Sequence, residues 1–178
     1  MGCASSFPRV LKFQIDEQRV SELSLTLHQK ELIRNSWKLI QTKRSEVGVK
    51  VFITFFKSNP PLQNMFPEFR DISLTDLEQR QRLRGHTERV MRTIENSVNA
   101  VDDPDSLNEY LVELGRRHVM RSVKPSVGDL HLMNRAIISA FQETLFDDWR
   151  PEEAAAWEIL LSYFTKKFKE GIRSGSKR

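Results

Sequence analysis

The chain has 178 residues, 29% of them charged, with a mean hydropathy of −0.49 and a net charge of +4. That length fits one domain with short tails and a core large enough to enclose a cofactor. No run of about 18 apolar residues occurs, so no membrane-spanning helix is expected. Cys3 is the only cysteine, which excludes an intrachain disulfide framework and a cysteine-based metal cage and fits a reducing compartment.

The first residues read as an address. Met1-Gly2-Cys3-Ala4-Ser5-Ser6 fits the N-myristoylation pattern, with Gly2 as acceptor once Met1 is removed. One myristoyl chain holds a membrane only marginally, and a palmitoyl chain on Cys3 would supply the second anchor. Arg9 and Lys12 add weak attraction to an anionic leaflet, against Asp16 and Glu17. The alternative is a tail that matches the pattern by accident. A secretory signal is not expected, because its apolar segment of about 7–15 residues is missing.

Residues 1–24 read as a tail, 25–172 as one helical domain and 173–178 as a basic tail. Thr26-x-x-Gln29 is a capping box, followed by Leu32, Ile33, Ser36, Trp37 and Ile40 at helical spacing. A second helix is expected from about Ser45 to Lys57, turning Val47, Val51, Phe52, Phe55 and Phe56 inward. Pro60 and Pro61 end it and open a short helical turn toward Phe66. Thr75-x-x-Glu78 reads as a second capping box, starting a long helix that runs to about Ala100 with Leu83, His86, Val90, Ile94 and Val98 on its inner stripe. Ser106-x-x-Glu109 reads as a third, starting a helix with Leu107, Leu111, Leu114 and His118 on one face. A helix of about 20 residues then runs from Val127 to Phe146. Pro151, suited to a first helical position, starts the last helix, whose stripe is Trp157, Leu160, Leu161, Phe164 and Phe168. With no strand signal, the fold class is all-α: six long helices plus short turns.

The C-terminal stretch carries Lys166, Lys167, Lys169, Arg173, Lys177 and Arg178 against Glu170 alone. Basic tails can bind nucleic acid or anionic lipid; the plainer reading is a solvated helix end favoured by the macrodipole. The interleaved aromatics of a single-strand binder are missing, so no nucleic-acid partner is expected.

Two of the four histidines stand out. His28 lies in the first turn of its helix and His131 near the start of the helix after Pro125, and surface positions are expected for both. His86 and His118, 32 residues apart, each replace a Leu-type residue on an apolar stripe. A buried imidazole needs a partner for each ring nitrogen. Each histidine alone reads as a satisfied core residue; two on facing helices, beside the aromatic corner Met65-Phe66-Pro67-Glu68-Phe69, suggest a shared partner between them, such as a flat iron-bearing macrocycle. Phosphate loops, Gly-rich dinucleotide turns and H-E-x-x-H are missing, and Asp102, Asp103 and Asp105 lack the Gly and distal Glu of a calcium loop.

Taken in order, these elements resemble the globin family over about Leu25 to Ile172. Trp37 matches the family's first-helix tryptophan. Pro60, with Phe66 six residues later and then Phe69, resembles the corner whose Phe packs on the haem face. His86 with Val90 at i+4 is similar to the distal histidine and its small apolar companion, and Leu114 with His118 at i+4 to the proximal pair. The resemblance implies a globin fold around a haem pocket, haem b (iron protoporphyrin IX) as cofactor, and His118 as proximal iron ligand. Phe66, Phe69, Val90, Leu114 and Val123 would form the apolar walls, and Arg89 would meet a propionate. The Leu114 carbonyl would accept the second N–H of His118.

The histidine spacing is similar to neuroglobin-type chains, and with the Met1-Gly2-Cys3 start the chain resembles the globin X branch, whose internal cysteine pair in some members has no counterpart here. That likeness implies that His86 also binds iron, lowering gas affinity by the fraction of molecules in which it has swung away. It implies a peripheral, lipid-anchored protein at the cytoplasmic face of the cell membrane, with O2, NO and CO as ligands. Redox, nitrite or NO chemistry fed by a reductase, including nitrite reductase or NO dioxygenase-like activity, or sensing, would suit such an iron better than bulk O2 transport. A diffusible O2-storage globin and a haem-free helical module at a membrane are the other readings.

Overall fold

The computed structural model describes residues 23–121 and 124–176. The acylation motif at Gly2 and Cys3, and Val123, lie outside the described residues. Among the described residues seven α-helices follow one another: α1 (Leu27–Ile40), α2 (Arg44–Ser58), α3 (Leu74–Glu78), α4 (Gln81–Asn99), α5 (Pro104–Met120), α6 (Val127–Leu145) and α7 (Pro151–Gly175). Six are long and α3 is a single short turn. No strand occurs among the described residues. None of the described helices is long and apolar enough to cross a membrane.

Most helix starts follow side-chain chemistry, in two places differently from the sequence expectation. Thr26 caps α1 in the expected reciprocal box, its hydroxyl accepting from Gln29 N while Gln29 Oε1 accepts from Thr26 N. Thr75 caps nothing. Ser73, in extended conformation, accepts from Asp76 N and starts α3, which stops at Glu78, and α4 begins afresh after the extended Arg80. The break has a packing reason. Leu77 and Leu83 are both fully buried. On one continuous helix they would point about 120° apart. Ser106 likewise does not start α5. Asp103 does, its carboxylate accepting from both the N–H and the hydroxyl of Ser106, with Pro104 in the first turn. At the far end, α6 stops at Leu145 rather than Phe146, because Phe146 has φ 44°, a left-handed conformation that cannot continue the helix. Leu23 is buried, and α7 runs on through the exposed Arg173 to Gly175.

Every stripe expected to face inward contributes to one core. Ile33, Trp37 and Ile40 from α1, Val47, Val51, Phe52, Phe55 and Phe56 from α2, and Trp157, Leu160, Leu161 and Phe168 from α7 are buried. At its centre the rings of Phe141 and Trp157 meet edge to face at 4.9 Å, with Trp37 6.4 Å from each. Ser36 joins α1 to α7 there: its hydroxyl donates to the Leu32 carbonyl at 2.8 Å and accepts from the Trp157 indole N–H at 2.9 Å. Ser36→Ala keeps the packing volume and orphans that buried N–H. A loss of about 1–3 kcal/mol in urea unfolding is expected, and an unchanged midpoint would show that the bond contributes nothing.

Candidate functional site

The core does not close everywhere. On α4, Leu83, Ile94 and Val98 are buried while His86 and Val90, on the same stripe, are half-buried. On α5, Leu107 and Leu111 are buried and the next two turns of the stripe, Leu114 and His118, are half-buried. The two helices are joined near their shared corner, where the Tyr110 hydroxyl donates to Thr93 Oγ1 at 3.3 Å and accepts from Asn96 Nδ2 at 3.1 Å. Beyond that junction they scarcely touch. Two apolar stripes, each carrying one imidazole, therefore emerge from the core on helices that splay apart.

Around His86 the walls are aromatic. Gly48 lets α2 cross close over α4: a Cβ there would stand 3.0 Å from both Thr87 Cβ and Met91 Cγ. One turn along α2, the Phe52 ring meets the His86 ring edge to face at 5.0 Å. The corner after Pro60 and Pro61 delivers Phe66 and Phe69, whose centroids lie 5.3 and 6.3 Å from that of His86, both steeply inclined to it. Gln63 holds this corner by donating from Nε2 to the carbonyls of Phe69 at 2.6 Å and Ile72 at 2.8 Å. Phe69 is fully buried and Phe66 half-buried.

The two imidazoles are fixed in opposite senses. Nδ1 of His118 lies 2.8 Å from the Leu114 carbonyl, as expected from the sequence. A carbonyl only accepts, so Nδ1 carries the proton and Nε2 keeps its lone pair. His86 Nδ1 lies 3.3 Å from Nη2 of Arg89. A guanidinium only donates, so here Nδ1 accepts and the proton sits on Nε2. Arg89, expected at a propionate, is an exposed residue whose contact is this ring. Burial lowers the proton affinity of both rings. His86 falls from 6.5 to about 4, through burial first, then Arg89 and His118, with Glu68 opposing. His118 is also lowered, by burial, against the opposing Leu114 bond. Both are thus neutral, the ligating form, at physiological pH.

This donor set fits one kind of metal site. Among the described residues no cluster of three or more His, Cys, Asp or Glu side chains could cage an ion. Two neutral imidazoles flanking an apolar, aromatic-walled space suit a metal whose remaining positions are already filled by a flat macrocycle. His28 and His131 are exposed, as expected. Three contributors escaped the sequence reading of the site. Phe52 and Phe168, the latter with its ring 4.7 Å from His118, were read as core only, and Gly48 carries no signal until α2 and α4 are seen to cross. The lowered His86 affinity has a thermodynamic consequence for the haem-free chain. Between pH 6.5 and about 4 the unfolded chain binds a proton at His86 that the folded chain does not. Stability therefore falls as pH drops through that window and levels off, for this group, below it. Haem-free wild type should lose more stability over that range than haem-free His86→Leu in urea unfolding; equal losses would contradict the buried neutral ring.

Comparison with known proteins gives the family and the fold. The Globin family model matches residues 49–168. Globin-1 of the lamprey Petromyzon marinus is 34% identical over 96 residues, covering 53% of this chain and 64% of its own. Cytoglobin-2 of Danio rerio is 26% identical over 140 residues, 78% of this chain and 77% of its own. In fold the chain is similar to a hexacoordinated haem protein from an anhydrobiotic tardigrade, with a TM-score of 0.79 at 23% identity over 85% of this chain and 97% of the other. The chain belongs to the globin family, and haem is the cofactor that membership brings.

Proposed function

We propose that this globin holds haem between two histidines, His118 as the permanent ligand and His86 as a displaceable one, and works in redox or gas chemistry at a membrane surface. The observation that carries the reading is the pairing itself: two neutral imidazoles on the cleft-facing stripes of α4 and α5, one with its free Nε2 fixed by the Leu114 carbonyl. Haem bound there supplies an iron that takes up a diatomic gas or exchanges an electron. The protein's part is selection. Phe52, Phe66 and Phe69 exclude water and limit where the His86 ring can go. A ligand that must displace His86 binds only in the fraction of molecules where the ring has left, which disfavours bulk O2 storage and favours electron transfer, NO or nitrite chemistry supported by a reductase, or sensing.

The Arg89 contact supports a second reading. With Nδ1 accepting from the guanidinium, the Nε2 proton is placed to donate to a gas ligand rather than to yield a lone pair. Coordination by His86 requires that contact to break and the proton to move to Nδ1. A chain that kept the Arg89 contact at rest would bind gas without competition, as a storage globin does. The rate of CO binding separates the two. If His86 occupies the iron in nine of ten molecules, His86→Leu raises apparent CO affinity about tenfold. Unchanged affinity and single-step kinetics identical to wild type would leave the storage reading.

The membrane part of the proposal rests on Met1-Gly2-Cys3 and Ser6, which support a globin X-like, doubly acylated N-terminus on the cytoplasmic face. In cells, Gly2→Ala should move the protein from the membrane to the soluble fraction, with the myristoyl and palmitoyl masses lost from the intact protein. An unmodified wild-type chain, equally soluble, would remove the membrane from the account.

A further inference from the structure

The most intimate helix contact in the molecule is not in the core but behind His118. Helices α5 and α7 meet backbone to backbone at Gly115 and Gly171. A Cβ on Gly115 would stand 2.1 Å from the carbonyl oxygen of Phe168 and 3.0 Å from Gly171 Cα. A Cβ on Gly171 would stand 2.0 Å from the carbonyl oxygen of Val112. The obstructing atoms are backbone, so no side chain can swing aside to make room. Any larger residue at either position must push the helices apart. One turn further along, Gly175 faces Arg116 and Val119 at 3.4 Å, ordinary contact that a methyl group can share. The obligatory closeness is thus confined to the turn Val112–Gly115, which includes Leu114 and immediately precedes His118.

That turn is tied to the imidazole twice. Leu114, the residue before Gly115, presents the carbonyl that accepts from His118 Nδ1 at 2.8 Å. Phe168, whose own carbonyl is the atom packed against Gly115, lays its ring against the His118 ring at 4.7 Å and 75°. Phe168 is buried and stacks in turn on Phe164 at 6.0 Å, so it has little freedom to follow a moving histidine. One contact sets which nitrogen is protonated, the other stops rotation of the ring about its own bonds, and the glycine crossing sets the distance over which both act.

We infer that Gly115, Gly171 and Phe168 are positioning residues for the iron ligand: the α5–α7 crossing presses the His118 ring into its ligating orientation before haem arrives. This rests on the reading of His118 as an iron ligand, and it adds that α7, which supplies none of the cleft-facing histidines, determines how firmly haem is held.

The test uses the full-length chain and three variants, Gly171→Ala, Phe168→Leu and Gly175→Ala. On haem-free protein, the imidazole Nδ1–H resonance of His118 and its exchange with water report the ring directly. On haem-loaded protein, the haem-release rate and the electron paramagnetic resonance of the oxidised iron report the ligand's hold and orientation. Gly171→Ala and Phe168→Leu are expected to shift the N–H resonance, speed its exchange, move the paramagnetic signal and raise haem release about tenfold, the scale of lost support behind a metal ligand. Phe168→Leu should do this with helix content unchanged, and Gly175→Ala should do none of it. If Gly171→Ala fails to fold, the contrast between Phe168→Leu and Gly175→Ala still decides. The inference is overturned if Phe168→Leu lowers only the melting temperature and leaves resonance and release at wild-type values, or if Gly175→Ala behaves like it. A wild type that takes up no haem would sink the haem reading instead, and the haem-free N–H measurement would still show whether the crossing orients the ring.

Discussion

One hydrogen bond, from Nδ1 of His118 to the Leu114 carbonyl, decides which imidazole nitrogen is left with a lone pair. A ring held in the other tautomer would present a proton to the cleft, and the rest of the site would have nothing to bind with. That bond is local to one helix turn, so it survives whatever the distal side does. It also works against the burial that lowers the ring's proton affinity, keeping the imidazole basic enough to be a good donor while still neutral at physiological pH. Around it, α4 and α5 scarcely touch beyond the Tyr110 junction.

The two histidines differ in what fixes them. His118 is bonded to a carbonyl of its own helix and braced by Phe168. His86 is bonded only to the exposed guanidinium of Arg89 and is otherwise surrounded by ring edges that restrict it without bonding to it. An exposed charged contact of this sort is worth little and is easily exchanged for water. The asymmetry matches the roles assigned to the two rings: one ligand that stays and one whose place can be taken. On the proposed reading, Arg89 would be the residue through which the surroundings of the cleft reach the iron, because its contact and iron coordination would compete for the two ends of the same imidazole.

Much of this was legible in the sequence because helical stripes are a strong periodic signal and two of them carry a histidine where leucine belongs. The stripe of α2 buries as expected, and those of α1, α5 and α7 bury except at Leu32, Leu114, His118 and Phe164, which are half-buried. Leu114 was identifiable as the acceptor from its i−4 position alone. What could not be read was set by tertiary contact. The break between α3 and α4 exists because Leu77 and Leu83 must both reach the core, and a capping motif at Thr75 cannot report that. Ser106 fits the capping pattern as well as any residue, yet Asp103 followed by Pro104 fits the start better, which a search for Ser and Thr alone passes over. Phe52 and Phe168 look like any other core aromatic until the helices that carry them are seen to pass the two histidines. Gly115 and Gly171 sit in the interiors of helices, where glycine is locally unfavourable; only the crossing gives the reason.

The central claim is that both imidazoles reach the same iron. The absorption spectrum of the reduced, haem-loaded protein with no added ligand tests it directly. The account predicts the sharp, split visible bands of a six-coordinate low-spin iron, giving way to a single broad band when His86 is replaced by Leu. A wild-type spectrum that is already five-coordinate and high-spin, and that His86→Leu leaves unchanged, would contradict it.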